Sequence, residues 1–309
     1  MAAPAQARYR TIEADSARWD GFAFREGDIV ISTPPKCGTT WTQMICALLV
    51  FQTPELPAAL DELSPWLDML TRDIDSVKAR LAAQTHRRFI KTHTPLDGIP
   101  FDEGVTYITV ARDPRDVGIS WDNHLDNMDL MAFINARAEA VGLDDLEELM
   151  AAGPPERAAE AIQRFWGWVD ADTALEVADS TLWRTLWHLQ TFWDRRDEPN
   201  VVLLRYEDMQ ADLEGVMRGL AASLAIDVPE ERWPVLVEAA TFESMKSRPQ
   251  AVAPEVTTSL WLDTSRFFHK GTCGQWRALL DDDDVRRYAA RVRSFGYDDV
   301  AAWVHEPAL

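Results

Sequence analysis

The segment that most narrows what this chain can become is Pro34-Pro-Lys-Cys-Gly-Thr-Thr-Trp41, set between an apolar β-type run and an apolar helical run. Before it, Asp28 to Thr33 (DIVIST) reads as a buried strand; after it, Thr39 to Phe51 reads as a helix. Gly38 at the junction permits a tight backbone approach. The N–H groups from Gly38 to Trp41 would then point out of a helix N-terminus, where an anion is stabilised. Lys36 adds a point charge, and Thr39 and Thr40 add hydroxyl donors. The lysine precedes the glycine and no Gly-Lys-Ser/Thr closes the loop, so this is not a Walker A sequence. A magnesium-dependent NTPase is disfavoured. A Gly-Thr-Thr turn alone would equally suit an ordinary helix cap; the preceding strand, Pro-Pro-Lys and the following Trp favour an anion loop.

The same strand-then-helix grammar recurs. Arg88 to Lys91 and Val105 to Ala111 read as strands, with a helix from Pro114 onward. Asn200 to Arg205 reads as another strand, followed by acidic helical sequence. This alternation predicts an α/β fold: a P-loop-like, central, mostly parallel sheet flanked by helices, binding its ligand at the carboxyl ends of the strands. Residues 122–196 break the pattern. They carry Trp166, Trp168, Trp183, Trp187 and Trp193 with little strand character, and read as a helical insertion over one sheet edge. Those tryptophans suit core packing or the lining of an acceptor pocket. The whole chain, 1–309, reads as one domain. Asp281 to Asp284 suits the solvated start of a final helix, where acidic side chains complement the helix dipole.

Charge and cysteine content exclude several classes. A formal net charge of −20 argues against nucleic acid, which needs a basic face, and against adsorption to anionic membranes. It leaves room for a small anionic ligand held by a few placed cations. Three cysteines do not make a disulfide framework and read as reduced thiols of a cytoplasmic protein. No His or Cys pair has zinc-ligand spacing, so no metal is expected. No apolar run is long enough to span a bilayer, and no signal-peptide pattern opens the chain.

The PPKCGTTW segment resembles the 5′-phosphosulfate loop of the PAPS-dependent sulfotransferases, usually written PKSGTTW (PAPS is 3′-phosphoadenosine 5′-phosphosulfate). Further similarities follow in order: Lys91-Thr-His-Thr-Pro-Leu96, Tyr107 to Trp121, Arg205-Tyr-Glu-Asp-Met209, and Phe268 to Trp276, which is similar to the family's RKGxxGDW signature. HRRFIKTHTPLDG and SPWLD look most like bacterial members, including mycobacterial glycolipid sulfotransferases. The resemblance implies transfer of a sulfuryl group from PAPS to a hydroxyl, leaving PAP (3′-phosphoadenosine 5′-phosphate).

Such a displacement needs a base for the acceptor and neutralised charge at the leaving phosphate. His93, just past a strand end, is the candidate base; a lone His there is otherwise more often structural. The resemblance implies that Lys36 contacts the bridging oxygen and that Lys91 lies near the sulfuryl oxygens. It assigns the 5′ side to Lys36, Cys37, Gly38, Thr39 and Thr40, and the 3′-phosphate to Arg112, Ser120, His269, Lys270 and Gly271. Trp41, Tyr206, Thr241 and Phe242 would surround adenine. Cys37 replaces the usual Ser, His269 the usual Arg, Ala240 a Thr and Gln275 an Asp. Arg115 reads as a surface charge. The family's short dimerisation motif is missing after Arg277, which leaves the oligomeric state open. Apolar Trp and Met between Trp121 and Met131 fit a hydroxylated small molecule, phenol or glycolipid as acceptor, and equally fit packing. The competing readings are a P-loop kinase using ATP and a non-catalytic protein that binds 3′-phosphoadenosine nucleotides.

Overall fold

A computed structural model describes residues 2–142, 144, 157–252, 260–267 and 271–305. Four short strands carry the fold: β1 (Ile29–Ser32), β2 (Phe89–Thr92), β3 (Thr106–Ala111) and β4 (Val201–Arg205). All pair in parallel, in the order β2-β1-β3-β4, with Ser32 level with Thr92 and Ala111 level with Arg205. β1 and β2 are buried along their whole length, β1 as a central strand and β2 at an edge where Pro65 and Leu67 exchange backbone hydrogen bonds with Lys91. β4 lies at the edge and is only partly buried.

Alternation within the strands divides the core in two. Ile29, Ile31, Phe89, Ile108 and Val110 face helix α1 (Thr39–Phe51). Val30, Ile90, Tyr107 and Val201 face the other side, with Trp19 and Phe192. This is the period-two rule of a pleated sheet applied to both covered faces. The helices that follow are α2 (Ile74–Ala83), α3 (Pro114–Leu125), α4 (Leu130–Val141), α5 (Ala161–Asp170) and α6 (Leu182–Trp193). Beyond β4 come α7 (Tyr206–Ala211), α8 (Leu213–Ser223), α9 (Trp233–Ala240), α10 (Phe242–Lys246), α11 (Asp282–Ser294) and α12 (Asp298–Val304). Among the described residues no helix is long and apolar enough to cross a membrane.

The α/β architecture agrees with the alternation in the sequence, strand by strand, within one residue at each end. The Trp-rich segment is helical where described, and α6 packs on β3 and β4. Its tryptophans are tied into packing. Trp168 presses on Gly118 of α3, where an added Cβ would lie 2.9 Å from the indole. Trp166 Nε1 donates to Asp284 at 3.0 Å, Trp168 Nε1 to Ser180 at 3.1 Å and Trp187 Nε1 to Tyr9 at 2.7 Å. The acidic run behaves as its charge pattern predicts: Asp281 caps α11 in a capping box with Asp284. That helix is not the last, because Gly296 at φ 73° turns the chain into α12.

Candidate active site

Each strand delivers one polar group at its carboxyl end: Thr33 after β1, His93 after β2, Arg112 after β3 and Tyr206 after β4. The parallel register brings these ends to one side of the sheet. There a cavity opens, lined by the loop before α1, by α3 and by side chains from several more distant segments.

Gly38 caps α1 with φ 100°, a left-handed value open to glycine at little cost. A Cβ at this position would sit 3.0 Å from the Tyr206 ring. Lys36 adopts φ 68°, an uncommon conformation for a residue with a side chain. Lys36, Gly38, Thr39, Thr40 and Trp41 all line the cavity. The Thr39 hydroxyl also pairs with Thr33 Oγ1 at 2.6 Å. Trp41 is fixed edge-on to Tyr206 at 5.2 Å, with its Nε1 donating to Ala240 O at 2.8 Å. Cys37 does not line the cavity. Its thiol is fully buried in an apolar cluster with Ala111 and Val117, and burial pushes it up to about 12. The Ser-to-Cys departure therefore lies on the back of the loop, where it removes no hydroxyl from the cavity.

Three cations surround the loop. Arg112 donates to Lys36 O at 3.1 Å and to Thr272 O at 3.2 Å, and its guanidinium lies 4.5 Å above the Tyr206 ring. Its Nε is buried without a partner among the described residues, a donor that an incoming anion would satisfy. Lys91 Nζ sits 4.0 Å over the Trp66 ring. Lys36 Nζ lies 3.3 Å from His124 Nδ1. Burial, then repulsion from Arg112 and Lys91, lowers the Lys36 ammonium to about 8.

His93 is held with unusual definition. Its Nδ1 is 2.7 Å from Thr33 O; a carbonyl only accepts, so Nδ1 carries the proton and Nε2 is left as the basic nitrogen. Burial, with Lys91 nearby, holds the imidazolium form well below the usual histidine range, so the ring is neutral near pH 7. Trp66 packs edge-on against it at 4.8 Å. The backbone on either side is pinned by buried Asp68, which accepts from Thr92 Oγ1 at 2.6 Å and Thr94 Oγ1 at 2.7 Å.

The remaining expected residues divide. Ser120, Phe242 and Gly271 line the cavity with Tyr206. Gly271 has φ 62° and packs so closely on Phe242 that a Cβ would come within 2.4 Å. Thr241 does not line it; its hydroxyl caps α10, donating to Glu238 O and accepting from Ser244 N. His269 and Lys270 lie outside the described residues. Arg115 is not the surface charge that its sequence position suggests. It is buried, paired with Asp113 at 2.7 Å and stacked 3.8 Å over Trp276. With Asp116, which accepts from Gly274 N and Trp276 N, it fastens the C-terminal loop to α3. The local carboxylate and the indole face together offset the cost of burying the guanidinium.

Other lining residues have no signature in the sequence: Glu13, Phe133, Trp261 and Phe267; Trp66 lies in the SPWLD segment, which by itself implies no site role. His124 had one, since it follows Ser120 by four positions and so shares its helix face. None of the five tryptophans of α5 and α6 lines the cavity; the segment's contribution there comes from its first residues, His124, Met128 and Phe133. Among the described residues no group of three or more His, Cys, Asp or Glu is placed to hold a metal ion.

Comparison with known proteins shows the family and the fold. A family model described as a sulfotransferase domain matches residues 26–295. A glycolipid sulfotransferase of Mycobacterium bovis is 40% identical over 313 residues, covering 96% of this chain and 94% of the relative. One of Mycobacterium tuberculosis is also 40% identical, over 311 residues, with the same coverage of both chains. A mouse sulfotransferase solved with PAP superimposes with a TM-score of 0.69 at 20% identity, over 95% of this chain and 93% of that one. The chain belongs to the sulfotransferase family, and the reaction class it serves is sulfuryl transfer.

Proposed function

We propose that this enzyme takes the sulfuryl group from PAPS and passes it to a hydroxyl of a glycolipid or a similarly amphiphilic acceptor, with His93 as general base. The observation that carries the reading is the Thr33 carbonyl on His93 Nδ1, which leaves Nε2 basic in the cavity that Lys36 also lines. PAPS, when bound, supplies an activated sulfuryl group on a phosphate leaving group. Lys36 and the N–H groups at the start of α1 would hold its 5′ side, and Arg112 with Ser120 and Gly271 its 3′-phosphate. Trp41, Tyr206 and Phe242 would pack about the base. Lys91 would face the transferred oxygens. His93 Nε2 would take the acceptor proton as the new O–S bond forms and the bond from sulfur to the 5′-phosphate oxygen breaks, with PAP leaving.

An amphiphilic acceptor suits the walls. Trp66, Trp121, Met128, Phe133, Trp261 and Phe267 make much of the cavity lining apolar. Exposed Leu130, Met131 and Leu262 adjoin these lining residues in sequence. The close relatives named above are glycolipid sulfotransferases. We read residues 1–309 as a single domain acting in the cytoplasm without a metal.

Calorimetric titration without magnesium tests the nucleotide half. PAP should bind far more tightly than AMP, because AMP lacks the 3′-phosphate. Binding of ATP alone, or binding that requires magnesium, would overturn the reading in favour of a kinase. Transfer of labelled sulfate from PAPS to extracted glycolipid tests the other half.

A further inference from the structure

Glu13 lies in the N-terminal segment, outside the motifs quoted above. Its backbone is nonetheless tightly placed. The Thr11 hydroxyl accepts from Glu13 N at 3.1 Å, and Glu13 O accepts from Leu70 N at 2.8 Å. The side chain lines the main cavity and also a smaller one adjoining it; Pro35, Trp66 and His93 bound both. Among the described residues its carboxyl makes no hydrogen bond and no ion pair. Burial and the neighbouring Asp179 raise it to about 8, against the pull of Lys91 and Lys36. A carboxyl kept in a cavity beside the candidate base, at that desolvation cost and with no structural partner, is poised for a ligand.

We propose that Glu13 is a specificity-determining residue, accepting a hydrogen bond from a second hydroxyl of the acceptor next to the one His93 deprotonates, so that the site selects polyols of the carbohydrate class over monohydroxyl alcohols. The inference rests on the transfer reaction proposed above. A cationic amine is the poorer fit to this carboxyl, because it would also face Lys91 and Lys36. A neutral polyol meets no such repulsion. A site built to bond a substrate hydroxyl strongly disfavours an analogue lacking it, since the buried partner is then left unsatisfied.

The test is steady-state kinetics with PAPS on octyl β-D-glucoside and 1-octanol, which share one alkyl chain. The wild type should favour the glucoside. Glu13→Ala should lower the ratio of the two kcat/KM values by about tenfold or more, chiefly through KM for the glucoside. Glu13→Gln, which keeps an accepting oxygen, should restore part of the ratio. PAP affinity, measured by calorimetry, should be unchanged in both. An unchanged ratio, or an equal loss on both acceptors, would overturn the proposal while leaving sulfuryl transfer standing. A wild type that binds PAP but sulfates no hydroxyl compound overturns the transfer reading and this inference together.

Discussion

In the proposed reading, the groups of the nucleotide end of the cavity come from strand ends and the loop beside them, in short runs of sequence: Lys36, Gly38 to Trp41, Arg112, Ser120 and Tyr206. The groups read as the acceptor end come from scattered places: Glu13, Trp66, Phe133 and Trp261, with Phe267 lying 5.4 Å from Lys36 Nζ where the two sets meet. The first end works by backbone N–H groups, a left-handed glycine and fixed cations. The second works by indole and phenyl surface with a single carboxyl. A phosphate has one shape and charge, so its cradle is built from the fold's own backbone and fixed there. An acceptor needs only a surface, which distant loops can vary without disturbing the sheet. His93 stands on the border, tied to β1 through Thr33 O and to the acceptor wall through Trp66.

The border residue gives the largest expected effect. His93→Ala should lower kcat by roughly 10²- to 10⁴-fold, the usual cost of losing a general base. PAP affinity should stay near wild type, because the ring is held by a carbonyl and an indole and takes no part in the nucleotide cradle. Full turnover in that variant would remove His93 from the chemistry and move the border toward Glu13 or His124. A smaller effect tests the nucleotide end. Arg112→Ala should weaken PAP by about 10- to 100-fold, the scale of hydrogen bonds to charged groups. AMP should weaken less, since it lacks the 3′-phosphate. Equal losses for PAP and AMP would mean that Arg112 mainly braces Lys36 and Thr272.

How far each end was legible follows from the same contrast. Helix α1 runs from Thr39 to Phe51, as its sequence indicates, because Gly38 marks its start and the apolar run marks its length. The strands are legible because each is a short apolar run ended by a turn. His124 was readable from its spacing to Ser120, though no motif contains it. Glu13 was not readable at all. Its placement depends on a turn at Thr11 and a contact with Leu70, neither of which has a local pattern. Arg115 misleads for a similar reason: Asp113 is visible beside it, but Trp276 reaches it only through the fold. The cradle is local in sequence, whereas the acceptor wall exists only after tertiary packing.

The pH dependence separates the two ends by the mildest perturbation. His93 is neutral throughout the neutral range, so its protonation should limit activity only well below pH 6.5. Lys36 is held to about 8, so kcat/KM in the free enzyme should fall as pH rises through that value and Lys36 loses its charge. At pH 8.5 the expected loss from the plateau is about fourfold, from the protonated fraction remaining at that pH. An aliphatic alcohol does not ionise in this range, so the limb should be the same for every alcohol acceptor. Lys36→Arg should move it out of range, because a guanidinium keeps its proton, at whatever cost in rate its different shape imposes. A rise in kcat/KM over the same range, seen with the glucoside but not the alkyl alcohol and left in place by Lys36→Arg, would belong to the acceptor end, where Glu13 is also held at about 8. The sign distinguishes the two groups further. Loss of the Lys36 proton removes an attraction for the leaving phosphate and lowers activity toward all acceptors. Loss of the Glu13 proton makes a stronger hydrogen-bond acceptor and should improve the grip on a second hydroxyl.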